Sequence, residues 1–523
     1  MTPRAGLGTA LALAALASSG AAHPARAAAE APPPAAPGAA LYGSEPAVTL
    51  TPLEAHALAV ARERLAAKGP RPQVSGALVL AARELARAAA AGTAEPLHRG
   101  RLRAALARGL AHDPAPAAVR VEASEDSAAE ALVPALPRSR ASHVGAGAAE
   151  RDGVVFLVLL ASERRARLSP FARDVAPGGA AVLSGRLARG LARPRVFATL
   201  PSGQVREADV RGARDFRARV EFPARGRYTL EVIAEGDGGP EVAALLTVSA
   251  GGAALEPAER PEAPADPEDD ADAETAVVRA LNATRRKHGL PALAAAPELT
   301  RVARRHSSVM AAQGRVAHVL PGSGDLGVRL RTAKIPYRRV YENVARASTA
   351  LGAHEAAEES PAHLGNVLRP DATRVGVGIA RTRLPSGDPA VYLTEVLVAP
   401  PDDGAESRLT PDARVREALW RERAQLRLAP LTADPALDAL AQDAARLMSR
   451  RDETEPDGLG ERALALRRRL AAVDVFVASA PAEAVRSSNL RDARFRRVGV
   501  GVTIGDSRRF GARRFWIAVV YTD

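Results

Sequence analysis

Apolar residues recur along this chain with two different periods, and the switches between them mark its architecture. From Leu53 to Ala67 and from Ala77 to Ala91 they return at helical spacing, which predicts two helices followed by a loop-rich middle. His143-Val144-Gly145-Ala146-Gly147 and Val154-Val155-Phe156-Leu157-Val158-Leu159-Leu160 then read as paired strands. Between Leu168 and Ala250 the period becomes two, as in Phe216-x-Ala218-x-Val220-x-Phe222 and Tyr228-x-Leu230-x-Val232. Pro201-Ser202-Gly203, Ala224-Arg225-Gly226 and Gly236-Asp237-Gly238-Gly239 supply turns between these runs. Several short strands over this length predict a small β-sandwich of immunoglobulin-like type. The helical period resumes at Ala273, where Val277, Val278, Leu281 and Thr284 share one side of a helix that Gly289 ends. Pro297-Glu298 opens another helix through about Gln313, with Leu299, Val302, Ala303, His306 and Met310 on one face. An imidazole among core positions fits either a hydrogen-bonded core histidine or a functional one.

Composition separates these stretches. Residues 1–27 carry Arg4, an apolar run and Ala25-Arg26-Ala27, the pattern of a secretory signal too short to span a bilayer. An Ala/Pro tether over 28–46 and an acidic, Pro-rich linker over 251–272 cannot bury enough apolar surface to fold. The signal implies export, to the periplasm or the extracellular space, and no transmembrane segment is expected in the mature chain. There is no cysteine, hence no disulfide and no thiol nucleophile. The net charge is +12, and all but three of the 72 cations are arginine. Arginines occur in every segment with few aromatics among them, which favours a solvated basic surface over a dedicated nucleic-acid site.

The chemistry-bearing residues cluster between Glu274 and Pro400. In order come Leu281-Asn282-x-x-Arg285, His288-Gly289-Leu290-Pro291, Ala303-x-x-His306-Ser307-Ser308-x-Met310, His318, Glu342-Asn343-Val344-Ala345, Ser360-Pro361-x-His363-x-x-Asn366, Val375-Gly376-Val377-Gly378 and Val391-Tyr392-Leu393-Thr394-Glu395. The series resembles the CAP superfamily of cysteine-rich secretory, antigen 5 and pathogenesis-related proteins, in its bacterial, cysteine-free branch with SCP domains. That resemblance implies α-β-α sandwich domains, so the chain as a whole reads as multidomain α+β: CAP-type domains plus one immunoglobulin-like β-sandwich. It also implies a cleft made of His306, His318, Glu342, Asn343, Ser360, His363 and Tyr392, with His318, His363 and Glu342 as candidate ligands for a divalent metal such as zinc. Neutral imidazoles and a carboxylate suit Zn²⁺, although their spacing along the chain is long and irregular. Tyr392 stands where many relatives carry a second cleft histidine, and Ala356-Ala357-Glu358-Glu359 where bacterial relatives often have a tryptophan.

Internal repetition completes the picture. A shift of 138 pairs Arg285 with Arg423, Pro297 with Pro435, Leu299 with Leu437 and Met310 with Met448, while His306 becomes Ala444. Later Asn366 pairs with Asn489, Val375-Gly376-x-Gly378 with Val498-Gly499-x-Gly501, and Tyr392 with Phe515; Asp474 falls near Glu342. Residues 408–523 therefore read as a degenerate copy of the CAP domain at 273–400. Residues 47–165 read as a divergent copy or an unrelated helical domain, and 167–250 as the sandwich. The leading functional reading is a non-enzymatic binding module of the envelope or extracellular space, its cleft accepting a small apolar ligand, a metal or a partner segment. A metal-assisted hydrolase or peptidase with Glu342 as base is the rival, and arginine-rich adhesion to anionic polymers a third reading.

Overall fold

A computed structural model describes residues 40–523 except 68, 94–95, 138–139, 256–265, 385–386, 388, 402–408, 457 and 467–468. The predicted leader, most of the tether and the middle of the acidic linker lie outside the described residues. The chain forms two compact units, one running to Leu326 and including Tyr341–Leu397, the other made of Gly327–Val340 and Val398–Asp523.

The first unit opens with strand β1 (Leu41–Tyr42). Helix α1 (Pro52–Ala66) starts at a capping box in which Thr51 and Glu54 satisfy each other's backbone amides. After β2 (Gln73–Val74) come α2 (Gly76–Ala90) and α3 (Arg99–Gly109), then β3 (Ala117–Ala123), α4 (Glu125–Ala131), β4 (His143–Arg151) and β5 (Val154–Ser162). The sheet order is β2-β4-β5-β3. Helix α3 lies in the stretch expected to be loop-rich. Its buried face is mostly alanine, too weakly apolar to announce a helix, and packing against α2 holds it.

Next follow β6 (Ala166–Leu168), β7 (Phe171–Ala172), β8 (Asp174–Val175), β9 (Gly179–Leu187), β10 (Ala192–Thr199), β11 (Val205–Ala208), β12 (Val210–Gly212), β13 (Asp215–Phe222), β14 (Gly226–Gly236) and β15 (Gly239–Ala250). All but β7 form two sheets, β11-β10-β14-β15-β8 and β12-β13-β9-β6. One core joins the inner faces, with Leu183, Phe216 and Val220 from one sheet and Val196, Leu230 and Val248 from the other. Tyr42 belongs to this core. β1 pairs with β7, the ring is fully buried, and its hydroxyl donates to Thr247 O at 2.6 Å. The end of the predicted tether is thus a strap, since one aromatic ring buries the apolar area that its alanines and prolines lack.

In the central domain α5 (Asp270–Lys287) begins three residues before the expected Ala273, because the Asp269 carboxylate accepts from Ala271 and Asp272 N–H. Then come β16 (Ala294–Ala295), α6 (Pro297–Gln313), α7 (Leu326–Thr332), β17 (Arg339–Ala347), α8 (Ala350–Glu358), α9 (Pro361–Val367), β18 (Arg374–Arg383) and β19 (Pro389–Ala399), with sheet order β16-β18-β19-β17. The second unit contains α10 (Pro411–Gln425), β20 (Thr432–Ala433), α11 (Pro435–Arg451), α12 (Leu459–Leu464), β21 (Ala471–Ala478), β22 (Arg497–Ser507) and β23 (Gly511–Thr522), ordered β20-β22-β23-β21.

Three sheets therefore share one order, and the same close approach recurs in each. A Cβ on Gly376 or Gly378 would stand 2.3 Å and 2.0 Å from the backbone of α6. On Gly499 and Gly501 it would meet α11 backbone at 2.2 Å in both cases, and on Gly145 and Gly147 it would meet α2 at 2.4 Å and 2.1 Å. Glycine there lets the strand lie directly on the helix. The buried clamp of Arg285 also repeats. Its Nε donates to Pro291 O at 2.8 Å and its Nη1 to Val367 O and Arg369 O at 2.6 and 2.9 Å. Arg423 donates likewise to Ala429 O, Leu490 O and Asp492 O at 2.7, 3.0 and 3.2 Å.

Candidate functional site

Helix α6 sets the first site residue. Leu299, Val302, Ala303 and Met310 bury its inner face and carry His306 inward with them, to 0% exposure. Its Nε2 lies 2.9 Å from Ala317 O and its Nδ1 2.8 Å from Ser323 Oγ. A carbonyl only accepts, so Nε2 carries the proton and Nδ1 accepts from the serine. His306 thereby pins both ends of the loop that carries His318.

His318 Nδ1 meets Glu342 Oε2 at 2.9 Å. The His318 and His363 rings lie 6.2 Å apart between centroids, tilted by 56°. Loss of solvent around the His363 ring, with help from His318 and the Arg99 guanidinium, pushes its pKa down to about 3, so it is neutral at physiological pH. Ser360 caps α9, its Oγ accepting from His363 N at 3.3 Å. Asn343 and Tyr392 are fully buried: Asn343 Nδ2 donates to Glu395 Oε2 at 2.9 Å, and Tyr392 packs with Met310 and Val344. The structure thus brings His318, Glu342 and His363 together, sets Ser360 at the start of α9, and places His306, Asn343 and Tyr392 in the interior.

Beneath these residues runs a charged network that the motifs do not reveal. Glu395 Oε1 lies 2.7 Å from His354 Nδ1, and His354 Nε2 lies 3.2 Å from Glu358 Oε1. Burial disfavours charge on this imidazole, but Glu395 and Glu358 outweigh it and raise the pKa to about 10. Two histidines of one domain are therefore driven in opposite directions. The spacing of His354 and Glu358, one helical turn apart, was the one sequence signal for this pairing.

The sandwich and α3 close on the same residues. Glu231 of β14 is fully buried, and its Oε2 accepts from Ser360 Oγ at 2.9 Å and Ala362 N at 2.8 Å, while Oε1 has no hydrogen-bond partner among the described residues. Burial raises the Glu231 pKa. At the β14–β15 turn, Gly238 O accepts from Val319 N at 2.9 Å, and a Cβ on Gly239 would stand 3.0 Å from His318 Cβ. From α3, Arg99 Nε reaches Glu359 Oε2 at 2.8 Å and Arg103 Nη1 reaches Glu359 O at 3.3 Å. None of Glu231, Arg99 and Arg103 carries a local signal, because each finds its partner more than a hundred residues away.

Among the described residues no three His, Asp or Glu side chains are grouped to hold an ion, and His318 Nδ1 is held by Glu342. In the second unit Asn489 Nδ2 donates to Asp474 Oδ1 at 2.7 Å, as Asn366 Nδ2 donates to Asn343 Oδ1 at 3.0 Å. Asp474 therefore takes the place of Asn343, one residue from the expected counterpart of Glu342.

No helix among the described residues is long and apolar enough to cross a membrane. No curated protein matches the chain. Similar solved structures include an extracellular SCP-domain protein from Bacillus anthracis, at 19% identity and TM-score 0.22, covering 33% of this chain and 64% of that one. An outer surface protein from Borrelia burgdorferi is 15% identical with TM-score 0.21, covering 24% and 91%. A cysteine-rich secretory protein from Staphylococcus aureus is 11% identical with TM-score 0.21, covering 46% and 83%. Residues 278–394 and 416–521 each match the model of the cysteine-rich secretory protein family, CAP, so the chain contains two domains of that family.

Proposed function

We propose that this is an exported, non-catalytic binding protein whose central CAP domain recognises a folded polypeptide surface, with the immunoglobulin-like sandwich as its partner in cis. One observation carries this reading: Glu231 is buried on Ser360 and Ala362 while the β14–β15 turn lies against His318. The polar groups of the cleft support it, because His306, Asn343 and Ser360 are spent on holding loops and helix ends. In the same reading residues 47–165 are a further, divergent CAP copy. The Gly145-x-Gly147 approach to α2 supports that, as does the Arg83–Glu54 pair at 2.6 Å, which matches Arg304–Glu274 at 2.6 Å.

The test uses the full-length protein. Hydrogen exchange should show residues 315–319 and 361–367 protected, and Glu231→Ala should raise exchange there by tenfold or more, since it leaves buried donors unpaired. Peptide libraries should remain uncleaved. Cleavage abolished by His318→Ala or Glu342→Ala would establish an enzyme and end this reading.

A further inference from the structure

The second unit holds a pocket that the central domain's own chemistry does not predict. α11, α12 and Pro456 line an open surface pocket of about 260 Å³, to which Ala444 and Leu459 contribute buried side chains and Asp443, Arg446, Arg450 and Arg462 exposed ones. The 138-residue repeat explains how it arises. Ala444 stands in the place of His306, whose ring fills the space beneath the following loop and ties that loop to the helix at Ala317 and Ser323. A methyl group fills less and ties nothing. The same offset replaces Ser308 by Arg446 and Ala312 by Arg450, so two guanidinium groups appear one turn apart on α11. Arg462 comes from α12.

The guanidinium groups of these three exposed arginines make no hydrogen bond or ion pair among the described residues. Against them the lining offers one carboxylate, Asp443, leaving a formal excess of two positive charges. Cations near a helix C-terminus are tolerated by its dipole, but like charges a turn apart still repel. A bound dianion would relieve that repulsion. Guanidinium forks match the oxygens of a tetrahedral oxyanion in pairs, which a point-like ammonium does not.

We propose that this pocket binds a phosphoryl group, carried either by a small phosphorylated molecule or by a lipid headgroup. Its volume falls just below the roughly 300–1,000 Å³ of sites that enclose drug-sized ligands, so it suits a headgroup more than a whole amphiphile.

The experiment compares two double variants of the intact protein, titrated with inorganic phosphate at fixed ionic strength. Arg446→Ala/Arg450→Ala should weaken phosphate binding by tenfold or more. Arg217→Ala/Arg219→Ala removes the same charge from an exposed strand of the sandwich and should change binding by less than twofold. Ala444→Leu, which keeps every arginine but fills the cavity, should also abolish binding, with an unchanged circular dichroism spectrum excluding misfolding. Equal weakening by both arginine doubles, or no phosphate binding by the wild type at millimolar concentration, would overturn the proposal. Phosphatidic acid vesicles, against phosphatidylcholine vesicles, then distinguish the sources. Arginine-dependent vesicle binding that phosphate displaces assigns a lipid headgroup, and phosphate binding without vesicle binding assigns a soluble ligand.

Discussion

The central CAP domain and its C-terminal copy agree where the backbone must be satisfied and disagree where a side chain faces a loop. Arg285 and Arg423 are both fully buried and share three carbonyl acceptors at matching places, to which Arg423 adds Phe495 O at 3.4 Å. Gly378 and Gly501 both let a strand lie on a helix. Yet His306, which pins a loop, becomes Ala444, which leaves a pocket. The difference teaches that this fold keeps the polar residues that satisfy its backbone and does not need those that face the loop. They are free to be exchanged for a different chemistry in each copy.

The most damaging way to probe that comparison is to remove the shared clamp. Arg285→Met deprives three carbonyls of this donor and Arg423→Met four, at a cost of roughly 3–5 kcal/mol to the copy concerned. The chain's two tryptophans, Trp420 and Trp516, both lie in the second unit. Denaturation followed by their fluorescence should therefore shift sharply with Arg423→Met and hardly with Arg285→Met. A tolerated Arg423→Met would mean that the two copies are held by different means.

A smaller effect is expected from His306→Ala. It deprives Ser323 and Ala317 of their partner, worth roughly 1–3 kcal/mol, and turns the central loop into something closer to its C-terminal counterpart. Hydrogen exchange across 315–325 should rise while that of α6 stays low. If the loop remains as protected as before, the imidazole is not what closes it.

The pH dependence is spread over several pH units, and it sharpens the contrast because the second unit contains no histidine. The His354 pKa, raised to about 10, lies above its unfolded value near 6.5. Its contribution is therefore complete below about pH 6.5 and is lost as pH rises toward 10, at no more than about 1.4 kcal/mol per unit. The His363 pKa, lowered to about 3, acts oppositely, and that stability is lost as pH falls through about 6.5 toward 3. Thermal melts should show the central domain weakening on both sides of pH 6.5. His354→Gln should remove the alkaline arm, and if that arm persists it has another origin.

Much of the scaffold was legible in the sequence, because local pattern decides it. Helices α1, α2 and α6 were expected within a residue of where they stand, and the 138-residue offset already paired Arg285 with Arg423. What stayed hidden depends on partners far along the chain. Glu231 is an ordinary strand residue until Ser360 arrives, 129 positions later. The α3 helix was hidden because alanine buries well but signals weakly. In the site, His318, Glu342 and His363 were named in advance, whereas the His354–Glu395 pair beneath them was not. Family motifs mark which residues recur, and say little about which neighbouring domain will lie against them.

The buried ring of Tyr42 has a mechanical consequence. Tension applied to the segment before residue 41 reaches this pairing with the sandwich before it reaches α1. Two paired residues and one Tyr42–Thr247 hydrogen bond would take the first load, peeling open as a short antiparallel ladder does, one rung at a time. Helix α1 would then feel force only after the ring had left its socket. A pull from the N-terminal side is thus absorbed by the sandwich edge, and the helical layers behind it are shielded by a single aromatic side chain.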